Sequence, residues 1–184
     1  MHENQGFLNN LRLKCGIMLG FYPGSFDPIT RGHLDIIRRG LAFCPQLVIG
    51  VGQNVSKQTL FTAEERVRLV QQALQEALPA ELVERVAVEA FSGATVNHAA
   101  AIGARVILKG LRGAVDYSFE EKMAIVNQRL APEIESVFLF TDNALRDVSS
   151  SVVKEMALSG IAREKFDHYL TPLVRDALLQ RLAS

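Results

Sequence analysis

Five short apolar runs punctuate this chain, and each is followed by a polar or glycine-marked loop and then a stretch with helical spacing. The first run is Ile17, Met18 and Leu19, followed across the loop Phe21 to His33 by Leu34, Ile36, Ile37 and Leu41. The second, Leu47 to Gly52, is rich in β-branched residues and bounded by Pro45 and Asn54. The others are Val86 to Phe91, Arg105 to Leu108 and Ser136 to Phe140. Helices are predicted between them. One starts at Thr62, where Glu65 completes a capping-box pattern, and is ended by Pro79. Others span Ala94 to Ile102, stopped by Gly103, Tyr117 to Leu130, stopped before Pro132, and Ser149 to about Leu158. Thr171-Pro172 opens a terminal helix, with proline at its first position. Strands alternating with helices imply an α/β fold: a single-domain, doubly wound, five-stranded parallel sheet with helices on both faces and a C-terminal helix.

In such sheets ligands bind outside the carboxyl ends of the strands, and the chemistry-bearing residues of this chain fall on those loops. Gly24, Ser25, Thr30, Gly32 and His33 follow the first strand. Gly24 is expected to let the backbone approach a ligand, and His33 sits at a helix entrance, where unpaired N–H groups and the dipole favour a phosphate. Lys57 follows the second strand, though a lone loop lysine is more often only solvated. Lys109 and Arg112 follow the fourth strand. They fit a phosphate clamp, and equally a pair of surface charges answering Asp116 and Glu120. Ser149, Ser150 and Ser151 open a helix after the fifth strand, with Lys154 one turn on. A serine run alone would be an N-cap with spare hydroxyls.

Composition excludes several classes. Lys+Arg and Asp+Glu each number 20 in 184 residues, so the formal net charge is zero and no basic excess suggests a nucleic-acid partner. Two cysteines, Cys15 and Cys44, lack C-x-x-C spacing, which argues against a zinc site or a disulfide framework. No apolar run reaches membrane-spanning length. Residues 1–15 read as a flexible extension unlike a signal peptide, residues 16–184 as a single domain, and the compartment as cytoplasmic. His98 and His168 show no metal-ligand pattern, and Tyr117 and Phe119 read as core or subunit contacts.

Thr30-x-Gly32-His33 resembles the T/H-x-G-H signature of the nucleotidyltransferases related to class I aminoacyl-tRNA synthetases. Val148-Ser-Ser-Ser-Val-Val-Lys resembles their second signature, I-S-S-S/T-x-x-K/R. With Tyr22-Pro-Gly-Ser-Phe-Asp-Pro, Leu60-Phe-Thr-x-Glu-Glu-Arg-Val, Gly110-Leu-Arg and Pro132-Glu-x-Glu-Ser-Val-Phe-Leu, the chain from about Ile17 to Ala183 resembles the bacterial phosphopantetheine adenylyltransferase family. The resemblance implies a Rossmann-like fold and transfer of AMP from ATP to 4′-phosphopantetheine, giving dephospho-coenzyme A and pyrophosphate. It implies that His33, Lys57 and Arg112 are catalytic. Ser25, Phe26, His33, Gly110, Leu111, Arg112, Glu120, Leu145, Arg146, Asp147, Val148, Ser149, Ser150 and Ser151 would bind ATP. Ser25, Lys57, Thr95 and Lys109 would face phosphopantetheine. No protein nucleophile is implied, and Mg²⁺ would be held chiefly by ATP oxygens. The family is typically a homohexamer and often inhibited by coenzyme A.

Some positions depart from the family pattern. Lys109 stands for a usual arginine, Gly93-Ala94-Thr95 for a more acidic and apolar stretch, Phe119 for a common tyrosine, and Val55 breaks Asn-Pro-x-Lys. Those around Thr95 and Lys109 motivate one alternative, adenylyl or cytidylyl transfer to another phosphorylated acceptor such as nicotinate mononucleotide. A non-catalytic nucleotide sensor is a separate alternative, against which the retained His33, Lys57 and serine run argue.

Overall fold

Side-chain alternation along the strands divides the core into two layers. A computed structural model describes residues 18–53 and 58–183. Its strands are β1 (Leu19–Gly24), β2 (Gln46–Gln53), β3 (Val86–Ser92), β4 (Val106–Leu111) and β5 (Glu135–Phe140). The helices are α1 (Arg31–Gly40), α2 (Ala63–Ala77), α3 (Ala80–Val83), α4 (Thr95–Ile102), α5 (Ala114–Leu130), α6 (Ser150–Leu158) and α7 (Pro172–Ala183). Tyr22, Leu47, Ile49, Val86, Val88 and Leu108 face one layer, with apolar residues of α1, α2, α6 and α7. Phe21, Val48, Ala87 and Ile107 face the other, with Val96, Ala99 and Ile102 of α4. Adjacent residues point to opposite faces of a strand, and both faces are covered, so the strands read as continuous apolar runs.

The sheet is wholly parallel, in the order β3-β2-β1-β4-β5. The order turns back at β1, which lies between β2 and β4, and this switch point leaves a crevice beyond the carboxyl ends of β1 and β4. Two strands run further than their sequence suggests. Phe21 to Gly24 belong to β1, where Pro23 pairs with Gly50 and Gly24 with Val51. Likewise Lys109, Gly110 and Leu111 are the last residues of β4, in register with Phe138, Leu139 and Phe140. Flanking strands supply hydrogen-bond partners that single-strand propensity cannot reveal.

Local chemistry sets the helix ends. Thr62 and Glu65 make the expected reciprocal cap, with Glu65 N–H to Thr62 Oγ1 at 3.2 Å and Thr62 N–H to Glu65 Oε2 at 2.8 Å. Gly103, at φ 77°, closes α4 in the left-handed region. Pro79 both follows α2 and caps the short α3. The 1–15 extension, Cys15, Val55 and Lys57 lie outside the described residues. Cys44 is a buried free thiol. Among the described residues no helix is long and apolar enough to cross a membrane.

Candidate active site

The crevice at the switch point opens into a cleft of about 530 Å³. Its walls are Ser25, Phe26, Asp27 and Thr30 of the β1–α1 loop, with Gly32, His33 and Ile36 of α1. Gly110 and Arg112, the first turns of α5 through Val115, Asp116, Phe119 and Glu120, and residues 148–151 with Lys154 complete it. Tyr22 and Thr141 also line it. A smaller hollow between α2 and α7 touches Phe61, Glu65 and Arg181 and lies away from the strand ends. Within it Arg181 is paired with Glu65.

The β1–α1 loop is held by packing. Phe26 takes φ 47°, a left-handed conformation that costs a non-glycine residue about 1 kcal/mol or more. Its ring is 1% exposed and lies 5.1 Å from the His33 ring, centroid to centroid, and 5.4 Å from that of Tyr22. A Cβ on Gly24 would come within 2.8 Å of the same ring. Gly24 therefore makes room for the Phe26 ring, a packing role its sequence context did not suggest. The loop is also stapled from outside. Arg66, nearly fully buried, donates to the carbonyls of Ser25 at 2.6 Å, Gly52 at 3.0 Å and Phe61 at 3.2 Å.

His33 has its tautomer dictated by the backbone. The Thr30 N–H donates to His33 Nδ1 at 3.0 Å, and Thr30 Oγ1 is 2.9 Å from the same nitrogen. A backbone N–H can only donate, so Nδ1 carries the lone pair and the ring proton is on Nε2. Burial and then the Arg112 charge push the imidazole down to about 4. The ring is thus a neutral Nε2–H donor at the start of α1.

The cleft's cations are paired within the protein. Arg112 forks onto Asp116, Nε to Oδ2 at 3.0 Å and Nη2 to Oδ1 at 3.2 Å, so Asp116 lies below the usual carboxylate range. Burial opposes that shift. Lys109 Nζ is 2.9 Å from Glu120 Oε2, a Coulombic contact without directed hydrogen-bond geometry. Lys154 Nζ is 3.0 Å from Asp27 Oδ2. The surface-charge reading of Lys109 and Arg112 named the right partners; the sheet places those pairs at the mouth of the crevice. Gly110 is closely packed there, since a Cβ would lie 3.0 Å from Ile36 Cγ1 and 3.2 Å from Tyr22 Oη.

The three serines divide their work. Ser149 caps α6 by accepting from Val152 N–H at 3.1 Å, and Ser150 Oγ donates to the Pro28 carbonyl at 2.8 Å. The Ser151 side chain is exposed. Two hydroxyls are thus committed to the protein, while the N–H groups of the first turn of α6 remain outside its helical ladder.

The other expected residues scatter. Thr95 opens α4 at the carboxyl end of β3, outside the cleft lining, and Lys109 is also outside the lining but pairs with Glu120, which belongs to it. Leu111 is fully buried, so it can offer only backbone to the cleft. Leu145 ends a 3₁₀ turn, Arg146 is exposed, and Asp147 accepts from Tyr169 Oη at 3.1 Å, with His168 at 3.6 Å. His98 pairs with Glu89 at 2.7 Å beside the rings of Phe21 and Phe91. Tyr117 and Phe119 are not core: both are exposed, and Phe119 lines the cleft. Sequence reasoning assigned no role to Asp27, Tyr22, Thr141 or Arg66. The Ser-Phe-Asp-Pro loop, with an acidic residue between bulky apolar ones, was the available signal for Asp27.

Residues 21–156 match the cytidylyltransferase-like family model. Curated relatives span nearly the whole chain. The phosphopantetheine adenylyltransferase of Alkaliphilus metalliredigens is 41% identical over 165 residues, 90% of this chain and 97% of that protein. That of Rhizorhabdus wittichii is 46% identical over 147 residues, 80% and 86% of the two chains.

This chain belongs to the phosphopantetheine adenylyltransferase family.

As a phosphopantetheine adenylyltransferase family member it is a nucleotidyltransferase, and its fold agrees. The nicotinic acid mononucleotide adenylyltransferase of Plasmodium falciparum, solved with NaAD, superposes with a TM-score of 0.63 at 12% identity, covering 91% of this chain and 95% of that one. A bifunctional NMN adenylyltransferase/ADP ribose pyrophosphatase from Francisella tularensis gives 0.67 at 14% identity, covering 91% and 50%. At such identity the likeness concerns the fold alone. Within the family's architecture, the cleft joins both signatures, 30–33 and 148–154, in one wall-to-wall arrangement.

Proposed function

We propose that this enzyme transfers AMP from ATP to 4′-phosphopantetheine, releasing pyrophosphate and dephospho-coenzyme A. The observation that carries the reading is the convergence on one cleft of two helix N-termini, α1 and α6, with a neutral Nε2–H donor on His33. Two helix N-termini and an oriented imidazole favour a polyphosphate over a neutral ligand. Family membership supports the acceptor.

An acceptor phosphate oxygen attacks the α-phosphorus of ATP, and the bond from that phosphorus to the bridging oxygen breaks. The electron pair leaves with pyrophosphate. No protein nucleophile or proton transfer is required, so the protein's contribution is position and charge. His33 Nε2–H donates to a phosphate oxygen as charge develops, the α6 N–H groups hold the remaining oxygens, and Arg112 exchanges Asp116 for phosphate. Ser25, Phe26, Gly110, Leu111 and residues 145–151 frame the nucleotide. Lys57, Thr95 and Lys109, with Ser25, take the acceptor.

The cleft carboxylates Asp27, Asp116 and Glu120 each face a cation. That donor set fits a polyphosphate bringing Mg²⁺ on its own oxygens, where the metal would withdraw charge from the β- and γ-phosphates. Coenzyme A, which contains the phosphopantetheine arm, is proposed as a competing inhibitor. A homohexamer is proposed from the family resemblance, and the large exposed apolar side chains Val115, Phe119, Ile125 and Leu130 of α5, with Phe140 of β5, support a subunit contact. The reading places the enzyme in the cytoplasm with its ATP.

The test is pyrophosphate release from ATP and Mg²⁺ with 4′-phosphopantetheine against nicotinate mononucleotide and sugar phosphates. Turnover with phosphopantetheine is expected. Turnover only with another acceptor would keep the chemistry and reassign the substrate, and ATP binding without turnover would make the protein a sensor.

A further inference from the structure

Asp27 joins three segments of the cleft. Its side chain is almost wholly buried. Oδ1 accepts the Phe61 N–H at 3.0 Å, while Oδ2 accepts the Leu60 N–H at 3.0 Å and the Lys154 ammonium at 3.0 Å. Leu60 and Phe61 lead into α2; Lys154 lies one turn into α6 and lines the cleft. The two backbone donors already give each carboxylate oxygen a partner, so the buried group is satisfied without the lysine. The lysine, by contrast, has Asp27 as its ion-pair partner at the cleft wall. Four rotatable bonds would otherwise spread its ammonium over many positions, and a fixed charge acts without that ordering loss.

Neighbouring contacts make this geometry stiff. Ser150 Oγ holds α6 to Pro28, the residue after Asp27. Arg181 of α7 donates to the Leu60 carbonyl at 2.9 Å and stacks on the Phe61 ring at 4.9 Å, securing the two residues whose N–H groups grip the carboxylate.

We propose that Asp27 is a positioning residue for the transfer reaction: it holds the Lys154 ammonium against the cleft so that this charge meets an oxygen of the departing pyrophosphate. When the bridging P–O bond breaks, the electron pair stays on pyrophosphate, and Lys154 balances it without giving up a proton. Asp27 touches no reacting atom and acts through the lysine. The inference rests on the nucleotidyl-transfer reading above.

The experiment is a double-mutant cycle on the full chain, Asp27→Asn, Lys154→Met and both, with kcat and ATP KM from pyrophosphate release and Tm recorded for each. Expected are kcat losses of about 10- to 100-fold in either single variant, with ATP KM within about threefold. The double variant should fall within about threefold of the worse single one, because the second change removes nothing further. A purely structural Asp27 gives losses that multiply and that track Tm; this overturns the inference. Should Asp27→Asn not fold, Lys154→Met decides alone, being a partly exposed side chain whose replacement leaves Asp27 its backbone donors. Full kcat in Lys154→Met overturns the inference, and a kcat loss at unchanged KM sustains it. Wild-type silence with every acceptor would overturn the proposed function and this inference together, whereas wild-type turnover with multiplicative losses overturns only the inference.

Discussion

The Thr30 backbone N–H points at His33 Nδ1 from 3.0 Å, so one turn of helix α1 determines which ring nitrogen carries the proton. An imidazolium at this position would set an Nδ1–H against a backbone N–H. The capping geometry and the buried setting both keep His33 neutral, which suits a hydrogen-bond donor and excludes a general acid working at ordinary histidine pKa.

His33→Ala should therefore lower kcat by about 10²- to 10³-fold, the range for one preorganised donor to a developing oxyanion, while ATP KM stays within about tenfold. Pyrophosphate release under saturating substrates measures it. An unchanged kcat would remove His33 from the chemistry.

The pH dependence has a definite sign. His33 binds its proton near pH 4 in the folded chain, below its ordinary 6.5, so between these values the unfolded chain holds more protons there. Its contribution to stability is complete above pH 6.5 and is lost as pH falls toward 4. Urea unfolding of wild type and His33→Gln at pH 7.0 and pH 5.0 isolates the effect: wild type should lose more stability than the variant on acidification. Equal losses would mean that His33 titrates normally.

Gly32 separates ligand from fold. A Cβ there would meet nothing nearer than the Val148 carbonyl at 3.5 Å, an ordinary contact, although the residue lines the cleft. Gly32→Ala should keep its Tm within a few degrees and lose ATP affinity by tenfold or more, read by calorimetric titration. A variant with native affinity would put the triphosphate elsewhere.

Lys109 offers a point charge where the family resemblance implies the planar fork of an arginine. With Glu120 2.9 Å away, a guanidinium at this position can keep that partner and still present a second edge. Lys109→Arg should lower the KM for phosphopantetheine several-fold, and no change would exclude Lys109 from the acceptor site.

Arg66 gives a stability prediction. It is buried and serves three carbonyls, those of Ser25, Gly52 and Phe61, and Arg66→Met removes that shared donor from all three. A loss of about 3 kcal/mol or more is expected in denaturant unfolding, with activity falling in step because the β1–α1 loop loosens. Native stability would show that these carbonyls find other partners.

Much of this protein was determined by its sequence alone. Alternating apolar runs and helical spacings specified five parallel strands with helices between them, because period and punctuation are local properties. Thr62 with Glu65, Gly103 and Ser149 marked helix ends through chemistry confined to a few residues, and two signatures over a hundred positions apart named the family. The tertiary structure decided the rest. That Gly24 serves the Phe26 ring, that Ser149 and Ser150 spend their hydroxyls on the protein, and that Arg112, Lys109 and Lys154 each meet a carboxylate depends on which elements face one another. Asp27 is the clearest case: its donors lie 33, 34 and 127 positions away in sequence. Nothing in the spacing of those residues reveals a shared carboxylate; the parallel sheet brings them together by placing their loops at the same end.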